Sequence, residues 1–327
     1  MESCSILEAH EFINQNSRFL IVGHVDPDGD CISSLLTLSY GLRRINKEAI
    51  PVVDSKRPGF LKDFPPAGTI GYSEEVDTAD YDAIITVDLS SIDRMGMYEE
   101  ETKSKKTLVI DHHATNTFFG DLNLVDTSAA AAVQIIYKIL NETGITFDTV
   151  LSTVTLLGIQ TDTGFFKYTN TTGEVFRIAG ELVEKGAEPY FNASMVLENN
   201  RVEEFYLLSE MTGNIVKERD GELIYSSINK EMFEKTDCTY EDSTGMISEL
   251  RSIRGVETAV LFTEVQKEEI KVSFRSKRWF DVAGIALEFG GGGHARASGC
   301  TIKNEPLETV IKKVIKRVSE EMEKATY

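Results

Sequence analysis

The stretch Ile21-Val22-Gly23-His24-Val25-Asp26-Pro27-Asp28-Gly29-Asp30 runs from apolar residues into a turn loaded with charge. Phe19–Val22 is short and apolar, as a buried strand should be, and it stops just before a histidine. Pro27 and Gly29 are turn formers, so Asp28 and Asp30 are expected to project to one side of the strand end. Like charges packed there destabilise one another unless a positive group sits between them. An EF-hand calcium loop counted from Asp26 is excluded, because its sixth position is Cys31 instead of Gly and its twelfth is Thr37 instead of Glu. Taken alone, the stretch reads equally well as a solvated acidic turn.

The same form recurs along the first part of the chain. Ile50–Val53, Ala83–Val87 and Leu108–Ile110 are further short apolar runs bounded by turn residues. Helix-like stretches, Ser33–Ile45 and Ser128–Leu140, are interleaved with these runs, the second with Thr127 as its expected N-cap. Strands alternating with helices imply βαβ units and an α/β domain with a mainly parallel sheet. Ligands bind such sheets beyond the carboxyl ends of their strands. From Glu174 to Leu208 the pattern is helical, interrupted at Gly186 to Pro189. Beyond it, Leu223–Ile228, Thr258–Glu264 and Ile270–Arg275 read as strands, the last two as a hairpin across Gln266–Glu269. The glycine run Gly290–Gly293 then precedes a short strand and a final helix from Leu307 towards Lys324. The expected organisation is a first domain over 1–185, a connecting helix or linker over 186–210 and a smaller α+β domain over 211–327.

Composition bounds the function. The 327 residues suit two domains better than one core. No apolar stretch is long enough to cross a bilayer, and Met1 to His10 lacks the basic start of a signal peptide, so no membrane association is expected. Cys4, Cys31, Cys238 and Cys300 are scattered, which fits free thiols in a reducing cytoplasm. A net charge of −19, with basic runs only at Lys271 to Arg278 and Lys312 to Arg317, argues against a grip on long duplex nucleic acid. An anionic substrate would need local cations, and bound metal ions supply them.

Three more clusters join the first. Asp88 closes the run Ala83–Val87; alone, it reads better as a cap for the segment after Leu89. Leu108-Val109-Ile110 ends in Asp111-His112-His113, and neighbouring strand residues face opposite ways, so the two histidines are expected to do different jobs. The bland alternative is a pair of surface histidines. Val154–Ile159 leads to Gln160-Thr161-Asp162-Thr163-Gly164, a weak signal by itself. A parallel sheet would gather these ends at one edge. Two imidazoles among several carboxylates suit manganese or magnesium better than a sulfur-bound zinc.

Together these residues resemble the four motifs of the DHH phosphoesterase family: His24-x-Asp26-Pro27-Asp28-Gly29-Asp30, Val87-Asp88, Asp111-His112-His113 and Thr161-Asp162-Thr163-Gly164. Phe274-Arg275-Ser276 and Gly290-Gly291-Gly292-Gly293-His294-x-x-Ala297-Ser298-Gly299 resemble the DHH-associated domain of nanoRNases and 3′-phosphoadenosine 5′-phosphate (pAp) phosphatases. The resemblance implies a DHH domain and a smaller substrate domain with a cleft between them. It implies two divalent ions, manganese with magnesium or cobalt as substitutes. His24, Asp28 and Asp88 would hold one; Asp30, Asp88, His112 and Asp162 would hold the other, with Asp88 bridging. Asp111 would orient His112 or its loop, and His113 and Asn116 would face the scissile phosphate. Arg275, Ser276, Gly291, Gly292, Gly293, His294 and Ser298 would contact substrate. Two such cations activate a hydroxide for in-line attack on phosphorus.

The activity implied is release of mononucleotides from RNA dimers to pentamers, from linear dinucleotides such as pApA formed in cyclic-dinucleotide turnover, and of AMP from pAp. The likeness also allows a homodimer through the first domain. A family II-type inorganic pyrophosphatase shares the first domain's motifs, but the glycine loop before His294 looks like the nucleotide-binding type. A non-catalytic nucleotide-binding module would be expected to have lost ligands, and none is lost here.

Overall fold

The computed structural model describes residues 3–54, 69–72 and 80–325. The chain divides into two compact units, Met1–Asn199 and Asn200–Tyr327.

The first unit runs α1 (Ile6–Gln15), β1 (Arg18–Val22), α2 (Gly29–Arg44), β2 (Glu48–Val53), β3 (Gly71–Tyr72), β4 (Ala83–Val87), a 3-10 segment (Ile92–Lys103), β5 (Lys106–Asp111), β6 (Leu122–Val125), α3 (Ala132–Glu142), α4 (Thr149–Asp162), α5 (Gly173–Glu184) and α6 (Pro189–Leu197). Its strands form one parallel sheet in the order β3-β2-β1-β4-β5-β6. The strands were legible as apolar runs because both sheet faces are covered. Phe19, Ile21, Ile85, Val87, Leu108 and Ile110 pack in the core shared with α2, α3 and α4. Leu20, Val22 and Ile84 turn the other way, against Met95 and Tyr98 of the 3-10 segment. The strand order reverses direction between β1 and β4, the switch point at which open α/β sheets form a crevice beyond their carboxyl ends.

Two helix starts differ from the sequence expectation. α2 begins at Gly29, four residues before the apolar periodicity becomes visible at Ser33, because the Asp28 carboxylate caps it by accepting from the backbone N–H groups of Asp30 and Cys31, each at 3.1 Å. Asp30 is therefore a first-turn helical residue, where the expectation had it in the turn. α3 begins at Ala132, so Thr127 is not its cap; Ala131 holds the cap position and has no side chain to close it. The Asp30 carboxylate closes it from a distance, accepting from Ala132 N–H at 2.5 Å and Val133 N–H at 3.1 Å.

The second unit runs α7 (Val202–Gly213), β7 (Val216–Glu218), β8 (Leu223–Ile228), α8 (Lys230–Thr236), α9 (Ile247–Ser252), β9 (Thr258–Gln266), β10 (Glu269–Ser276), α10 (Val282–Glu288), β11 (Gly292–His294), β12 (Ala297–Lys303) and α11 (Leu307–Ala325). Its sheet has the order β11-β12-β10-β9-β8-β7, antiparallel except where β8 meets β9. β9 and β10 make the hairpin read from the sequence. Strand alternation splits the core in two: Val260 and Phe262 face Val310, Val314 and Val318 of α11, while Ala259 and Leu261 face Leu207, Met211 and Leu250. The region 186–210, expected as a connecting helix or linker, carries α6, which lies in the first unit, and most of α7, which lies in the second. Among the described residues, no helix is long and apolar enough to cross a membrane.

Phe262 is fully buried, whereas Phe205 on α7 is 58% exposed. Phe262→Ala should cost about 3–5 kcal/mol in urea unfolding of the protein, and Phe205→Ala should stay within about 0.5 kcal/mol.

Candidate metal centre

The carboxyl ends of three adjacent strands, β1, β4 and β5, deliver His24, Asp88 and Asp111-His112-His113 to the switch point. Asp88 follows β4 with φ +57, a left-handed conformation that an aspartate tolerates better than most residues. It caps no helix: the following 3-10 segment starts after Ser91, and the Asp88 carboxylate turns to the imidazoles instead. Asp162 arrives by another route, at the last residue of α4 and not from the sheet. It comes close because the α2 start and the α4 end approach through glycines. A Cβ on Gly29 would overlap the Thr161 side chain, and one on Gly158 would lie 2.7 Å from Asp30 Oδ1.

Asp88 is the hub, only 2% exposed. Its Oδ2 lies 3.5 Å from His24 Nε2, and its Oδ1 lies 3.4 Å from His112 Nε2. Around His24 Nε2 stands Asp28 at 3.9 Å. Around His112 Nε2 stand Asp162 at 3.3 Å and Asp30 at 3.9 Å. The six residues thus fall into two groups that share one carboxylate, each oxygen of which faces a different group.

These spacings suit cations better than direct hydrogen bonds. All exceed the usual 2.7–3.2 Å range for N–H···O bonds, and among the described residues the buried Asp88 Oδ1 accepts no hydrogen bond although His112 lies at 3.4 Å and His113 at 3.7 Å. Two donors each about 2.1 Å from one ion, at near right angles, lie about 3 Å apart. The donors are carboxylate oxygens and imidazole nitrogens, the set that suits manganese or magnesium. The electrostatics agree. Burial, reinforced by the charge of Asp88, pushes Asp30 up to about 8. Burial and the charge of Asp30 likewise raise Asp162 well above the carboxylate range. Burial would raise Asp88 too, but His112 and His24 outweigh it and hold this carboxyl well below its usual value. The imidazoles themselves are drawn well above their ordinary range against the penalty of burial, His24 by Cys31, Asp88 and Asp28, and His112 by Asp88, Asp162 and Asp30. Alone, the cluster must hold protons to offset its buried negative charge; divalent ions binding there would release them.

Asp111 meets His113 and the loop through Asn116, the loop being one of the two places expected for it. Its Oδ1 lies 2.7 Å from His113 Nδ1, while His112 Nδ1 lies 3.3 Å from the Ala129 carbonyl. Its Oδ2 accepts from the Asn116 amide at 2.6 Å. That amide also donates to Leu89 O and accepts from Phe118 N–H, so Asn116 shapes the loop beside His113. Two neighbours carried no sequence signal. Arg94, on the polar 3-10 segment, places Nη2 3.0 Å from His24 Nδ1 and donates to the Val25 carbonyl at 3.1 Å. That carbonyl also lies 2.8 Å from His24 Nδ1, an arrangement that leaves Nε2 to face Asp88. Cys31, in the first turn of α2, is buried beside His24 and Asp88.

In the second unit, Arg275 on β10 pairs with Ala297 on β12, which pairs with His294 on β11. Cross-strand partners share a sheet face, so the arginine and the histidine flank a small alanine on one rung. Gly293 has φ +134, and a Cβ there would lie 2.6 Å from the Ala297 carbonyl. Gly291 is equally constrained, since its Cβ would overlap the Gly299 carbonyl, and its N–H donates to Ala286 O. A Cβ on Gly292 would meet open space. Ser276 and Ser298 are buried, with hydroxyls donating to Ala295 O at 3.3 Å and Val282 O at 2.7 Å, so both brace the loop.

Residues 18–159 match the model of the DHH family N-terminal domain, and residues 220–324 match that of the DHHA1 domain. The chain is 33% identical over 308 residues to the bifunctional oligoribonuclease and PAP phosphatase NrnA of Thermus thermophilus, covering 94% of this chain and 91% of that protein. It is 30% identical to the protein of the same name from Bacillus subtilis, over 85% of this chain and 87% of the relative. A crystal structure of an exopolyphosphatase-related protein from Bacteroides fragilis superposes with a TM-score of 0.87 at 25% identity, covering 97% of this chain and 95% of that one. With both domain models in order and relatives matched along nearly their whole length, the chain belongs to the DHH phosphoesterase family.

Proposed function

We propose that this hydrolase cleaves phosphate esters of very short nucleotides: RNA of two to five residues and linear dinucleotides such as pApA to mononucleotides, and pAp to AMP. The observation that carries the proposal is Asp88, whose two carboxylate oxygens face two separate groups of histidine and carboxylate donors. The relatives named for oligoribonuclease and PAP phosphatase activities support the substrate class.

In this reading His24, Asp28 and Asp88 hold one divalent ion, and Asp30, Asp88, His112 and Asp162 hold the other, both manganese in the working enzyme. Such ions supply a nucleophilic water at neutral pH and neutralise charge on the phosphoryl oxygens. The protein's own groups do the rest. Asp28 and Asp30, tied to helix starts, arrive with little freedom left to lose. His113, held at Nδ1 by Asp111, has its ring fixed, and its imidazole would serve a phosphoryl or leaving oxygen. Arg275 and His294 offer a cationic and a hydrogen-bonding group on one rung, suited to a second phosphate of the substrate. Local cations of this kind let an acidic chain take an anionic substrate, while its charge of −19 disfavours long duplexes. The four free thiols fit work in the cytoplasm.

The direct test is manganese-supplemented hydrolysis of pAp, pApA, RNA of graded length and pyrophosphate. The proposal expects turnover of the first three; turnover of pyrophosphate alone would overturn it. Asp88→Ala should lower turnover of pAp by at least about 10³-fold, and paramagnetic resonance titration should show fewer Mn²⁺ ions bound. Arg94→Ala, which removes one of the two groups at His24 Nδ1, should weaken Mn²⁺ binding by about 10- to 100-fold, with recovery of kcat at high Mn²⁺. Arg275→Ala should raise KM for pAp by about tenfold or more with a smaller change in kcat, as expected for a phosphate contact remote from the reacting atoms.

A further inference from the structure

Cys31 has no part in the donor set described above, yet it occupies the same buried space. Its Sγ, a His24 ring nitrogen and an Asp88 carboxylate oxygen all lie within 4.8 Å of one another, and all three residues are buried. Neighbouring groups hold it there. Its backbone N–H is tied to Asp28 Oδ1 at 3.1 Å, and Gly23 leaves space that a Cβ would fill at 2.5 Å from Sγ. The thiol stands in the first turn of α2. Asp88 is 2% exposed and turns its Oδ2 to this end, 3.5 Å from His24 Nε2, so a buried carboxylate oxygen here favours a positive partner.

We propose that Cys31, His24 and Asp88 form a binding site for a thiophilic divalent cation of the zinc or cadmium class, which displaces manganese at the His24 end and inhibits the enzyme. One sulfur, one imidazole nitrogen and one carboxylate oxygen form a mixed donor set that zinc accepts readily. Nitrogen and oxygen sites already bind zinc more tightly than manganese, and a thiolate widens the gap. Coordination releases the thiol proton to solvent and changes no oxidation state. The inference rests on the reading of His24 and Asp88 as metal ligands.

The test uses metal-free full-length protein titrated with Cd²⁺ and followed by ultraviolet thiolate-to-cadmium charge transfer. The wild type should show a band saturating at one equivalent, suppressed by excess Mn²⁺. Cys31→Ser should lose the band and bind Cd²⁺ about 10- to 100-fold or more weakly. Zinc-edge absorption fine structure of the wild type, which needs no variant, should show a sulfur at about 2.3 Å. A missing sulfur shell, or a band undiminished in Cys31→Ser, would overturn the proposal. Mn²⁺ titration of the same samples separates the two failures: manganese bound without any thiolate band sinks the role of Cys31 alone, whereas no manganese bound sinks the ligand reading beneath it.

Discussion

Four carboxylates, Asp30, Asp88, Asp111 and Asp162, are gathered within hydrogen-bonding or near-bonding reach of three imidazoles in a largely buried space, and that concentration of charge governs the first unit. Buried carboxylates without positive partners are too costly to keep ionised. Histidines meet part of the demand, and the lifted affinities of Asp30 and Asp162 for protons show how much is left. Divalent cations would satisfy the remainder, and their arrival would drive protons out. The site is therefore tuned by burial as much as by its choice of residues.

Several of these groups also hold the fold together. Asp28 caps α2, and Asp30 caps α3 across about a hundred residues of sequence, so the carboxylates that face the imidazoles also secure two helices. Gly29 and Gly158 let α2 and α4 meet closely enough to place Asp162 beside His112. Gly96 and Asp54 act in the same way on the far side. Gly96 has φ +60 and no room for a Cβ beside the Asp54 carboxylate, which accepts from Met97 N–H at 2.7 Å. That turn carries Arg94 to His24. A substitution aimed at the chemistry will usually disturb packing as well, and the reverse holds for the glycines.

Much of this was legible from the sequence because strands buried on both faces read as unbroken apolar runs, and each ended in a residue capable of chemistry. The order of the sheet made the ends of β1, β4 and β5 neighbours, as the alternating pattern implied. What stayed hidden was long-range. Ala131 gave no cap signal because the cap, Asp30, belongs to another helix, and Thr127 was a reasonable local choice that tertiary structure overrode. Asp88 looked like a cap because nothing local shows that its backbone turns left-handed. Arg94 and Cys31 carry no motif by themselves; only folding places one behind His24 and the other beside it. Asp111 was read as orienting His112 or its loop; it meets His113 and Asn116 of that loop, a choice that residue spacing alone does not make.

The central claim is that Asp88 stands between two divalent ions. Crystals grown with Mn²⁺ and measured at the manganese absorption edge test it most directly. Two anomalous peaks are expected, one reached by His24 and Asp28, the other by His112, Asp30 and Asp162, with Asp88 touching both. A single peak, or peaks that leave Asp88 without contact to metal, would contradict it.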